Sequence, residues 1–300
     1  MTRIHRSGDA KACEQRHLLL LATVPLLALT LSFGGCGSCS GDSGGGPADH
    51  PTGKNEVVLQ ISMGGGFVTV ETNLTRTPGF TLHGDGTVIV TGPTPEIYPQ
   101  PALPNLQTTT ISEEATQEIL SAAEEAGLFA NDVDYGRPGI TDHPTTTITI
   151  NAGGQAYTSD IYALGAEQGA GGLSMEQQQA RAAINELDAK LGDLSAFQMG
   201  EIKWKPYVCT ALSVFSLPFD PSTAPDDAEV QPNRLEWPLG DLSTLGDAVQ
   251  PAGYRNVVVS GKDLATLQPL LVDATQITLW TYGDREYHLS FRPLLPNETT

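Results

Sequence analysis

Phe80-Thr-Leu-His-Gly-Asp-Gly-Thr-Val-Ile-Val90 decides the fold. Apolar and β-branched residues alternate on both sides of the Gly-Asp-Gly turn, the pattern of two antiparallel strands joined by a tight connection. Upstream, Val57 to Met63 alternates as a further strand. Downstream the period changes at Ser112, where Ala115, Ile119, Ala122, Ala123 and Ala126 fall on one helical face. Glu113 and Glu114 occupy the first turn of that helix, Ser112 suits its N-cap and Gly127 its C′ position. Thr145 to Ile150 and Gln155 to Leu164 then form a second hairpin across Asn151 to Gly154. Hairpin, helix and hairpin in that order predict an α+β fold, with helices packed on mainly antiparallel sheets.

A second helix starts after Ser174, which has capping-box spacing to Gln177, and Ala180, Ile184, Leu187 and Leu191 make its apolar stripe. Tyr207 to Leu217 reads as a strand with Cys209 as a small buried hydrophobe on it, although a bridge to Cys39 or a reactive thiol stay open. Five prolines from Pro218 to Pro238 mark an irregular linker, residues 218–238. Asn256 to Ser260, a helix near Lys262 to Ala274 and a hairpin from Ile277 to Arg292 repeat the order strand, helix, hairpin. Pro269 should bend or shorten that helix. Residues 56–200 and 201–300 are thus expected as two small α+β lobes, separate or fused into one body.

The amino terminus carries an address. Arg3, Arg6, Lys11 and Arg16 precede LLLLATVPLLALTLSF, residues 18–33, which holds no charge. A positive stretch before an apolar run is the order of a signal peptide. At 16 residues, interrupted by Pro25, the run falls short of the ~20 that span a bilayer. Phe33-Gly34-Gly35-Cys36 resembles a bacterial lipobox. The resemblance implies removal of residues 1–35, diacylglycerol on the Cys36 thiol and a protein held at the outer face of the cell membrane. Two acyl chains suffice for stable anchoring where one is marginal. Ordinary cleavage without lipid and an uncleaved amino-terminal helix are the other readings of the same stretch. Residues 36–55, rich in Gly, Ser and Pro, form a tether.

Loss of residues 1–35 takes four basic and two acidic residues from totals of 16 and 35, leaving 12 basic, 33 acidic and a net charge of −21. A chain so acidic lacks the basic face that nucleic acid requires. The four cysteines, Cys13, Cys36, Cys39 and Cys209, are too scattered for a disulfide framework.

Several local patterns bear on chemistry. Gly41-Asp42-Ser43-Gly44-Gly45 copies the surroundings of a trypsin-like nucleophile, but it sits in a tether with only a signal peptide upstream to supply the base. Asp132, Asp134 and Asp142 cluster around Asn131 and Gly136 as oxygen ligands for Ca²⁺ would, although the carboxylate that closes an EF-hand is missing and Asp is also an ordinary turn residue. His50, His83, His143 and His288 match no metal spacing. Gly92 to Pro104 is a stiff loop with five prolines. Its Ile97, Tyr98 and Leu103 either pack inward under a crossover or present a surface to a partner, since a Pro-rich segment has little entropy left to lose.

The runs GDGTVIVTG, SEEATQEILSAAEEAGLF, DYGRPGITDHPTTTITI and YTSDIYALG resemble uncharacterised domains of secreted bacterial lipoproteins. The likeness covers about residues 56–165, and extends with LEWPL, VVVSGKDL and FRPLLP over the mature chain. It implies an α+β fold and an extracytoplasmic location, without an activity or site residues. With no recognisable nucleophile, metal box or phosphate loop, the expected function is a lipid-anchored binding or interaction module for an envelope protein partner. No cofactor is expected beyond the covalent diacylglycerol and the weak Ca²⁺ option, and the alternative is a cell-envelope hydrolase.

Overall fold

The computed structural model describes residues 48–223 and 230–299, so Cys13, Cys36, Cys39 and the signal segment lie outside the described residues. The first sheet is built from β1 (Val57–Gly65), β2 (Phe80–His83), β3 (Thr87–Thr91), β4 (Leu106–Thr110), β5 (Pro144–Ala152), β6 (Gln155–Tyr162) and β7 (Lys205–Pro206). Its order is β6-β5-β1-β2-β3-β4-β7, antiparallel throughout. In β5, Thr146, Ile148, Ile150 and Ala152 are buried and alternate with half-buried neighbours, because successive strand residues face opposite sides.

The buried side is covered by α2 (Glu113–Glu125) and α3 (Met175–Gly192). Ser112 Oγ accepts a hydrogen bond from the Ala115 amide (3.2 Å), and Gly127, at φ +80°, supplies the left-handed residue that ends α2. The capping box at Ser174 and Gln177 forms with both hydrogen bonds present. Ile119, Leu120, Ile184, Leu187 and Leu191 pack with Leu59, Leu82, Val88 and Ile148 into one core. Residues 48–55, assigned to the tether by composition, lie against this layer: the Ala48 amide donates to Gln117 (2.7 Å) and the Gly153 amide to the Asp49 carbonyl (2.6 Å).

The second sheet holds β8 (Ala211–Pro218), β9 (Arg234–Glu236), β10 (Asp247–Val249), β11 (Tyr254–Ser260), β12 (Leu279–Tyr282) and β13 (Arg285–Pro293), in the order β10-β11-β8-β13-β12-β9. Only the β9–β12 pair is parallel. One face packs on α4 (Gly261–Leu271) through Leu212, Val214, Val259, Phe291 and the edge-on pair Trp237–Trp280 (5.8 Å, 83°). A short helix, α1 (Val70–Thr75), contacts β8 and β13. It meets the opposite face, since its partner Tyr254 has the strand parity opposite to Val257 and Val259 of the core. Both sheets belong to one compact unit.

Two readings are corrected, and the helix expected near 262–274 is shortened as its proline predicts. The strand expected over 207–217 breaks in two: β7 pairs with the first sheet, the chain crosses at residues 207–210, and β8 begins the second sheet. The Tyr207 amide still donates to the Leu106 carbonyl of β4 (2.9 Å), after which the chain leaves the first sheet and Cys209 falls in the crossing rather than on a strand, half-buried against the second core. The Pro-rich stretch does not stay irregular, because Arg234–Glu236 adds to β12 and Trp237 is buried beside Trp280. The helix near 262–274 spans Gly261–Leu271 with Pro269 inside its last turn.

Candidate functional site

The site is assembled from three segments distant in sequence. Helix α1 begins where Thr69 Oγ1 accepts from the Thr72 amide (3.3 Å), and Glu71 lies in its first turn. It ends at Arg76, before Thr77-Pro78, because the residue preceding a proline disfavours helical backbone.

The Pro-rich loop folds back on itself. Gln100 Nε2 donates to the carbonyls of Pro95 (2.6 Å) and Ile97 (2.7 Å), and Asn105 Nδ2 to that of Pro93 (2.8 Å). Its second half is tied to the segment before β12: the Ala102 amide donates to the Ala274 carbonyl (3.0 Å) and the Gln276 amide to the Gln100 carbonyl (2.9 Å). Leu103 and Ala102 therefore pack against the second core. Ile97 and Tyr98 do not follow, and stand 57 % and 67 % exposed at the outer bend. The three residues singled out from sequence thus divide, Leu103 inward and the other two outward.

Between α1, this loop and His288 to Phe291 of β13 lies a groove of about 860 Å³. Thr69, Glu71, Thr72 and Thr75 form one wall, Thr94, Pro95 and Gln100 to Asn105 the other, with Gln276 and Ile277 at one end. Among the described residues the ionisable side chains lining it are Glu71 and His288.

Glu71 accepts a short hydrogen bond from the Tyr254 hydroxyl, which reaches across from β11. Burial raises the pKa of Glu71, but the Tyr254 hydrogen bond and its backbone contacts outweigh this and hold the carboxyl below its ordinary range. Burial, then the Glu71 hydrogen bond and charge, push the Tyr254 phenol far above its usual pKa. Burial lowers the pKa of His288, against a smaller opposing pull from Glu71. At neutral pH the groove therefore holds a carboxylate, a protonated phenol beside it and a neutral imidazole. His288 packs edge-on against Phe219 (5.1 Å, 81°). Among the described residues no hydrogen bond joins His288 to Ser290 or to a groove threonine.

The three aspartates considered for Ca²⁺ are exposed and serve turns. Asp134 Oδ1 accepts from the Gly136 amide (2.8 Å) and Oδ2 from Gln177 (3.2 Å). Asp132 and Asp142 adopt left-handed backbone (φ +60° and +63°), and the Asp142 carbonyl takes the Phe67 amide (2.9 Å). They do not converge, and among the described residues no group of three His, Cys, Asp or Glu side chains is placed to hold a metal ion. Burial raises the pKa of Cys209, which keeps its thiol protonated.

Glu71, Tyr254 and His288 were not singled out as a group from sequence. Thr69 with Glu71 two residues on is the one local signal, an N-cap with an acidic first turn. A second ionic group was equally hidden. Arg181 sits in the apolar stripe of α3 at 0 % exposure, donates to the carbonyls of Tyr135 (3.3 Å), Tyr162 (2.8 Å) and Ala163 (2.9 Å), and pairs with Glu167 (3.4 Å). No family model matches the chain, and no curated protein and no solved structure matches it either.

Proposed function

We propose that this chain is a lipoprotein held at the outer face of the cell membrane through diacylglycerol on Cys36, and that its body is a binding module for an envelope partner. The observation that carries the binding reading is the groove itself, with exposed apolar residues beside both walls: Val68 and Val70 flank Thr69 and Glu71, and Ile97 and Tyr98 lie between Pro95 and Gln100. A concave site whose walling segments also expose apolar residues is the default place for a ligand or partner to bind. A cell-envelope hydrolase would also place shifted ionisable groups in a groove. Here the Glu71 carboxylate, held below its normal pKa, is a weak base at neutral pH and the neighbouring phenol stays protonated, which leaves the neutral His288 imidazole as the groove's proton acceptor for that alternative.

The test is chemical cross-linking on intact cells, followed by mass spectrometry of what is joined to the protein. A stoichiometric partner that disappears when Ile97 and Tyr98 are both changed to Ser supports the module and its surface. Absence of any partner above background, or a partner indifferent to that double change, overturns it.

A further inference from the structure

We propose that the groove receives an extended, basic peptide segment of the partner, with a lysine or arginine side chain set on the Glu71 carboxylate. The inference rests on the binding reading above and specifies its ligand.

Charge complementarity is the first argument. The groove wall carries Glu71 and no Lys or Arg, within a chain of net charge −19. An anionic ligand would meet a carboxylate with no cation to offset it, whereas a cation is drawn in at long range and paired on arrival.

Hydrogen-bonding capacity points the same way. Gln100 spends its amide protons on Pro95 and Ile97, and its Oε1 is buried away from the groove. Asn105 donates to Pro93 and Thr75 Oγ1 to the Glu71 carbonyl (2.7 Å). Pro95, Pro101 and Pro104 contribute no N–H to the walls, and the Pro95 and Pro104 carbonyls are already taken by Gln100, Ile97 and Leu106. Backbone and amide N–H donors on that wall are therefore largely spent or missing, and a ligand that brings its own N–H groups to the Glu71 carboxylate complements it. Gln276 and Ser290 can serve either role.

Dimensions select a peptide over a compact amine. The β13 residues along the floor, His288 to Phe291, span roughly 10 Å at about 3.3 Å per residue, which matches three or four residues of extended chain. The exposed Val70, Ile97 and Tyr98 beside the walls then suit apolar neighbours of the basic residue.

The experiment measures fluorescence anisotropy on the full chain in detergent micelles, with a labelled, end-capped Leu-Lys-Leu-Lys-Leu peptide as probe. Three competitors accompany it: the same peptide with Nε-acetyl-lysine, the same with Glu, and spermidine. The expected result is binding of the lysine peptide at least tenfold tighter than its acetylated form, weakened about tenfold by Glu71→Gln and by Thr72→Lys. Thr72 is an exposed α1 position, so Thr72→Lys tests the charge without touching the Glu71–Tyr254 contact.

Equal binding of the acetylated or acidic peptide, or no effect of Thr72→Lys, overturns the assignment. So does capture of spermidine without the peptide. If cross-linking yields an Ile97- and Tyr98-dependent partner while the lysine peptide fails to bind, only the basic-peptide inference falls. If both fail, the binding module falls with it.

Discussion

Arg181→Met should destabilise the protein by about 3–5 kcal/mol. The guanidinium is fully buried and holds three carbonyls from two segments, Tyr135 in the loop before β5 and the consecutive Tyr162 and Ala163 at the carboxyl end of β6. Methionine replaces the aliphatic stem, so the cavity contribution is small. The loss comes from stranding buried acceptors, at roughly 1–3 kcal/mol for each that water cannot reach. It also removes the cation from Glu167, whose side chain is 15 % exposed and can recover part of its hydration. Three such acceptors give about 3–9 kcal/mol, and because the Tyr162 contact is only part-buried the lower end applies, in line with the about 3–5 kcal/mol lost on breaking one side of a buried ion pair. Urea unfolding monitored by tryptophan emission reads it directly, since Trp204 packs on the first core while Trp237 and Trp280 lie in the second. In thermal unfolding the same loss is roughly 6–20 °C at about 2–4 °C per kcal/mol for a domain of this size. A loss below about 1 kcal/mol would refute the reasoning, because it would mean that water or a repacked loop satisfies those carbonyls at no cost. The pair also predicts acid sensitivity. Burial raises the Glu167 pKa, but its hydrogen bonds and the Arg181 charge bring it below the ordinary value. The associated stability is therefore complete above the unfolded carboxyl pKa of about 4.3, is lost as pH falls through the depressed folded value, and should be reduced in Arg181→Met, where only the backbone and Asn185 hydrogen bonds still hold the carboxylate.

Cys36→Ala should move the protein from the membrane fraction to the soluble fraction on cell lysis without detergent, and retention in the washed membrane would sink the lipobox reading. His83, at 0 % exposure, has neither ring nitrogen in hydrogen-bond geometry, and burial lowers its pKa against smaller opposing effects of Asp85 and the Glu56 backbone. Its contribution is thus full above the unfolded pKa of about 6.5 and declines as pH drops below it. His83→Phe should cancel that slope and leave stability at pH 8 within about 1.5 kcal/mol of the parent, since no hydrogen bond is given up; denaturant midpoints at pH 8 and 5.5 decide it, and an unchanged slope contradicts it. Tyr254→Phe removes the donor to Glu71, so the Glu71 carboxyl pKa should rise towards or above 4.5, followed by carbon-detected NMR titration. A fall or no change would show that the phenol does not hold the carboxylate.

What could be read along the chain was what repeats at short range. Strand alternation at β2, β3 and β5, the caps at Ser112 and Ser174 and the left-handed Gly127 are properties of a few adjacent residues, and all stand where the sequence placed them. Strand β4, helix α1 and strand β10 went unread because each is three to six residues long and carries too few periods to signal. The crossing at residues 207–210 was read as strand because YVCTALSVF is uniformly β-forming. Pairing partners, not propensity, split it.

The sequence by itself determined the α+β class and the stiffness of the Pro-rich loop, because period and proline content are local quantities. Only the tertiary structure decided that Leu103 turns in while Ile97 and Tyr98 turn out, and that Glu71, Tyr254 and His288 meet. Those three residues are separated by 183 and 34 positions, so nothing local can report their approach. Antiparallel sheets bring it about, because pairing strands distant in sequence fixes side-chain neighbours through register across the sheet rather than along the chain.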